Sequence, residues 1–133
     1  MSIEIIDDFK NPFVIQLVLD RLDAQEVVDS QRELYLSPDY DPTRPVLWDT
    51  RQVDVQSVSS DIFKMVEQST SYWGKMAGGR TAILVSKSEN LSFARLYVKL
   101  AAAMPRKLSV FLSYDDATQW LLEDQAVSTP KAS

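Results

Sequence analysis

Residues 45–49 read Pro-Val-Leu-Trp-Asp, and this stretch decides the fold. Its apolar run is continuous instead of alternating, as in a strand covered on both faces. Such a strand lies inside a sheet packed between helices, and helix-length amphipathic segments flank it in the chain. Upstream, residues 37–45 contain three prolines and must be loop. Before that loop, Asp23 is a suitable N-cap, with Glu26 three residues on completing a capping-box-like pattern. The helix it starts carries Ala24, Val27, Val28, Leu34 and Tyr35 near one face. Further back, Phe-Val-Ile-Gln-Leu-Val-Leu at 13–19 is β-branched and aromatic and reads as a strand. Asn11-Pro12 marks a turn between it and a short, weak strand at 3–6, which predicts a hairpin.

Downstream, the polar residues 52–60 form a loop. A helix follows with Ile62, Phe63, Val66, Ser69 and Trp73 on or near one stripe, and Gly74, Gly78 and Gly79 punctuate its end. Thr-Ala-Ile-Leu-Val-Ser at 81–86 is another buried strand. Asn90 or Ser92 caps a third helix with Ala94, Tyr97, Val98 and Ala101 inward, and Pro105 stops it. Leu-Ser-Val-Phe-Leu at 108–112 is the last strand, and Ser113 or Asp115 starts a closing helix bearing Ala117, Trp120 and Leu121. The order ββαβαβαβα predicts an α/β fold with a mixed, mostly parallel sheet, an N-terminal hairpin and flanking helices. Residues 1–125 form one domain with one core, and 126–133 form a small, polar, frayed tail.

Composition excludes more than any motif establishes. The 133 residues hold 14 Lys and Arg against 19 Asp and Glu, a net charge of −5. A nucleic-acid binder would carry a basic patch instead. Without cysteine there are no disulfides, thiolate metal sites or thiol nucleophiles. Without histidine the chain lacks the usual general base and the commonest metal ligand. No metal or cofactor is expected. No apolar stretch approaches the roughly 20 residues that span a bilayer, and the acidic N-terminus is unlike a signal peptide. The expected location is the cytoplasm.

Three short sequences carry a family resemblance: Val-Leu-Trp-Asp-Thr-Arg at 46–51, Gly-Arg-Thr-Ala-Ile-Leu-Val-Ser at 79–86, and Val-Phe-Leu-Ser-Tyr-Asp-Asp-Ala-Thr-Gln-Trp-Leu at 110–121. With the element order, they make the chain resemble the STAS domain, and more closely the SpoIIAA-like family of small bacterial proteins. The resemblance covers nearly the whole chain. It implies binding of partner proteins, nucleotides or lipids, as in anti-sigma-factor antagonists or the related CRAL-TRIO lipid-transfer domains. In phosphoregulated members the acceptor serine starts the helix after the central strand. The matching region here, residues 54–61, offers Ser57, Ser59 and Ser60, but lacks the glycine of the family pattern. A phosphate there would add about −1.5 to −2 charge at a helix N-terminus, where N–H groups stabilise an anion. The plainer role for Ser59 or Ser60 is an N-cap.

Other candidates follow from position. Open α/β sheets bind ligands beyond the C-terminal ends of their strands. Asp49, Arg51, Asp54, Asp61 and Arg80 are therefore assigned to one rim, with ion pairing inside it as the alternative to ligand binding. Tyr72, Trp73 and Met76 are a candidate interface patch, with core packing as the alternative. The third helix is apolar nearly all round, with Arg95 and Lys99 marking a narrow solvent stripe. It is suited to a dimer seam or an apolar pocket beside the second helix. No nucleophile elbow or phosphate-cradling loop is present. The first expectation is a non-enzymatic module acting on a protein partner, either alone or as a homodimer. The alternative is a carrier of an apolar, lipid-type small molecule.

Overall fold

The structure is a computed structural model. It describes residues 3–7, 12–19, 23–38, 40–41, 43–53, 62–86 and 88–123, the side chains of 88 and 89 excepted. Five strands form one sheet: β1 (Ile3–Ile6), β2 (Val14–Val18), β3 (Val46–Asp49), β4 (Arg80–Leu84) and β5 (Lys107–Phe111). They lie side by side in chain order. β1 is antiparallel to β2, and the three remaining pairs are parallel. The predicted α/β class, hairpin and element order hold, and β3 is the middle strand.

The helices are α1 (Ala24–Tyr35), α2 (Ile62–Ser69), α3 (Ser88–Leu100) and α4 (Tyr114–Leu121), and α2 tightens into a 3-10 segment over Thr70–Met76. Each parallel neighbour is reached by one crossover, and crossovers share one hand. Strands laid down in sequence therefore put successive crossover helices on the same face. α1, α2 and α3 accordingly pack together over one face of the sheet. α4, which follows the last strand, packs on the other face against β3, β4 and β5.

Strand alternation then divides the expected single core into two layers. Val14, Val46, Trp48 and Ile83 belong to the layer under the three helices. Leu47, Ala82 and Leu84 belong to the layer under α4, with Phe13, Ala117 and Leu121. All four residues of β3 are buried, which is why its sequence shows no alternation.

The expected caps of α1 and α4 are present, whereas Asn90 and Ser92, expected to start the third helix, lie inside α3, and Asn90 Nδ2 donates to Val53 O at 3.3 Å instead. Asp23 Oδ1 accepts from the backbone N–H groups of Gln25 and Glu26 at 2.9 and 3.2 Å. Ser113 Oγ accepts from Asp116 N–H at 3.3 Å. Glu26 does not close the capping box, since its buried Oε2 meets no partner. Gly78 sits at φ +94°, a conformation that suits glycine. The turn it makes lets its N–H donate to Pro105 O at 3.1 Å.

Two predicted helix faces need correction. The buried stripe of α2 and its 3-10 extension is Ile62, Met65, Ser69, Tyr72 and Met76. Phe63 points to solvent, 65% exposed, and Val66 is half-buried. α3 is also less encircled than its composition suggests. Leu96 joins Arg95 and Lys99 on a broad exposed side, while Ala94 and Ala101 are buried.

Candidate functional site

A cavity of about 60 Å³ lies between the sheet and its three-helix layer, partly open to solvent. Val27 and Gln31 of α1 line it, together with Met65 of α2 and Met76 at the end of the 3-10 segment. Phe93, Ala94 and Tyr97 of α3 close the far side. The sheet supplies the floor from alternate positions of three strands. Trp48 stands opposite Ile83, and Thr81 opposite Leu108, so their side chains share one face. Thr50 and Met104 complete the lining, and no lining residue is ionisable except Tyr97. Three of the four methionines of the chain are here, the fourth being Met1. Methionine is flexible and polarisable, so its gaps accommodate guests of different shape.

Polar groups at this wall are organised by Gln31. Its Oε1 accepts the Tyr72 hydroxyl at 2.7 Å, and Gln31 favours the ionised form of the Tyr97 phenol against the burial that raises its pKa. Beside them, Gln16 of β2 is fully buried. It accepts from Ser30 Oγ at 2.6 Å, while its Nε2 has no partner. Thr50 Oγ1 donates to Leu84 O at 2.7 Å.

Arg106 braces the same layer from beneath. Its guanidinium is buried and donates to Thr81 Oγ1 (2.6 Å), Met76 O (3.1 Å), Arg44 O (2.8 Å) and Arg80 O (3.0 Å). It also stacks on the Tyr35 ring at 5.4 Å. The planar five-donor fork suits this task.

Four tyrosines share one main cause of a raised pKa. Burial pushes the Tyr35, Tyr40, Tyr72 and Tyr97 hydroxyls above their ordinary value. A folded pKa above the unfolded one means stability that is complete below about pH 10 and lost as pH rises beyond it. In an alkaline titration, tyrosinate absorbance from these four should therefore appear late and together with loss of the folded circular-dichroism signal. Smooth ionisation near pH 10 without unfolding would contradict their burial.

The predicted rim is divided by the fold. Asp49 and Arg51 form a two-toothed pair, with Arg51 Nε on Oδ1 at 3.0 Å and Nη2 on Oδ2 at 2.9 Å. The Arg51 backbone N–H also donates to Oδ1 at 3.1 Å, so Asp49 fixes the turn after β3. Arg51 lies over the Tyr114 ring at 5.6 Å. By alternation Asp49 belongs to the face of Leu84 and Phe111, opposite the cavity. Arg80 is no part of this rim. It begins β4 whereas Asp49 ends β3, so the two stand at opposite ends of the sheet. Arg80 is buried, donates to Trp120 O at 2.7 Å, stacks on the Trp120 ring and pairs with Glu123 at 3.6 Å. It thus supplies positive charge to the C-terminal end of α4. Asp54, Asp61, Ser57, Ser59 and Ser60 lie outside the described residues.

Partial burial raises the Asp49 carboxyl, but the hydrogen bonds and charge of Arg51 outweigh it and leave the group below its usual value. The linked stability is then complete above about pH 4 and lost as pH falls through the lowered pKa. Asp49→Asn should cost about 0.5–1 kcal/mol at neutral pH, because Arg51 remains largely solvated. Denaturant midpoints of parent and variant should converge toward pH 3.

The Tyr72, Trp73 and Met76 patch is not a surface. Tyr72 and Met76 are core residues, and Trp73 is half-buried with Nε1 donating to Ser69 Oγ at 2.8 Å. The sequence reading missed Gln31, Arg106 and the converging methionines. Only Gln16 left a signal, as a polar residue inside an otherwise apolar strand.

Among the described residues, no group of three or more acids, cysteines or histidines gathers to hold a metal ion. Among them, too, no helix is long and apolar enough to cross a membrane. The fold and cavity define an α/β domain with an internal apolar site. No family model and no curated protein matches the chain.

Proposed function

We propose that this chain is a non-enzymatic binding domain whose ligand is a small apolar molecule, held between the sheet and α1, α2 and α3. The cavity carries this reading: side chains of the sheet and of α1, α2 and α3 converge on it, and its walls are mostly apolar. Its size bounds the guest. An engineered cavity of about 150 Å³ takes benzene, so a ring-sized guest requires the methionine side chains to move aside, and a whole acyl chain does not fit within. Ala94→Leu fills the space from α3. It should abolish binding while leaving stability unchanged or raised by about 0.5–2 kcal/mol. Native mass spectrometry of the purified protein should show a small co-purifying mass that Ala94→Leu lacks. Binding that survives Ala94→Leu defeats this reading.

A second reading is the regulatory module that acts on a protein partner, either alone or as a homodimer. Phe63, exposed at the start of α2, favours it, as does the SpoIIAA-like resemblance, which the element order ββαβαβαβα supports. A clean dimer with no bound molecule in the same spectrum would support it. Both readings place the protein in the cytoplasm, in keeping with a chain that contains no cysteine.

A further inference from the structure

We infer that the cavity selects a neutral, flat molecule carrying one hydrogen-bond acceptor, an aryl ketone being the simplest case, with the Tyr97 hydroxyl as donor to that acceptor. This rests on the binding reading above and adds the chemistry of the guest. Three observations lead to it.

Charge comes first. No lining residue is a cation or a carboxylate, and an ion moved into such a space without a partner loses far more hydration than it regains. The guest is neutral. Shape comes second. Trp48, Phe93 and Tyr97 contribute aromatic walls, and Met65, Met76 and Met104 contribute thioethers. Ring faces and edges pack well on other rings, and thioether sulfur makes favourable contacts with aromatic rings.

The polar relay comes third. The Tyr72 proton is given to Gln31 Oε1. Gln31 favours negative charge on the Tyr97 oxygen, and among the described residues the Tyr97 hydroxyl donates to no other group, so its proton is left to give. Because Tyr97 lines the cavity, a guest acceptor is the group that can take it.

The test uses acetophenone, ethylbenzene and benzoate, which share a ring and differ in acceptor and charge. Quenching of tryptophan fluorescence reports occupancy, since Trp48 lines the site, and ligand-dependent melting shifts give a second readout. Acetophenone should bind about 3- to 10-fold more tightly than ethylbenzene, the range of one net hydrogen bond. Benzoate should not bind at neutral pH. Tyr97→Phe should bring acetophenone down to ethylbenzene and leave ethylbenzene unchanged. Equal affinity of the parent protein for acetophenone and ethylbenzene overturns the inference even if Tyr97→Phe fails to fold, and so does an undiminished preference in a folded Tyr97→Phe. Either result leaves the binding reading standing if ethylbenzene binds. Failure of both neutral probes to bind at millimolar concentration overturns the inference together with the reading beneath it.

Discussion

Replacing Arg106 with leucine is expected to destabilise the protein by about 3 kcal/mol or more, read as a fall of roughly 1–3 M in the urea midpoint at neutral pH. The guanidinium gives hydrogen bonds to four oxygen atoms from separate stretches of chain: the end of the 3-10 segment, the loop before β3, and the first two residues of β4. Removing the donor takes a hydrogen bond from each acceptor; Arg44 O keeps the Tyr40 hydroxyl at 3.1 Å, and an acceptor left buried without a partner carries the full cost of its lost hydration. Arg106→Lys is expected to recover less than half of the loss. It keeps the charge, but an ammonium cannot point donors at four separated acceptors from one plane. A lysine variant as stable as the parent would show that charge alone, and not the fork, holds these segments together.

Leu47→Ala should cost about 2–5 kcal/mol. Leu47 is fully buried at the centre of the middle strand, packed with Phe13, Ala82, Leu84, Ala117 and Leu121 under α4. Truncation there removes buried apolar surface and leaves a void between sheet and helix. It lies on the opposite face from Trp48, its chain neighbour, so affinity for an apolar probe in the cavity should be unchanged in the folded variant. Chemical denaturation measures the first effect and a probe titration the second. A loss of probe affinity matching the loss of stability would mean that the two layers are one mechanical unit.

These two residues also show what the sequence disclosed and what it withheld. Leu47 was legible because a continuous apolar run of strand length has few other homes. β-Branched and aromatic content and turn signals marked the other strands, and the Asp23 and Ser113 caps came from short-range chemistry. Arg106 was not legible. An arginine just after a proline and before a strand reads as surface, and its acceptors come from positions 44, 76, 80 and 81, far away in the chain. The cavity lining was hidden for the same reason: it is made where three helices and three strands converge. The expected α2 stripe ran through Phe63, Val66 and Trp73, whereas the buried one runs through Met65, Tyr72 and Met76. Packing instead chose the side from which Tyr72 could reach Gln31. Arg80 was placed with Asp49 because both adjoin strands, and only the parallel register shows that they occupy opposite ends.

Sheet neighbours that are also chain neighbours have a kinetic consequence. Every ladder closes a loop no longer than a single crossover, so no pairing must wait for a distant part of the polypeptide to arrive. As the chain emerges from the ribosome, the N-terminal hairpin can form first, and each later βα unit can add to an edge already in place. Among the described elements α4 is made last, and it seals the second face. Until it docks, Leu47, Ala82 and Leu84 lie bare on the nascent sheet, and that interval is when the protein is most open to aggregation or to capture by a chaperone.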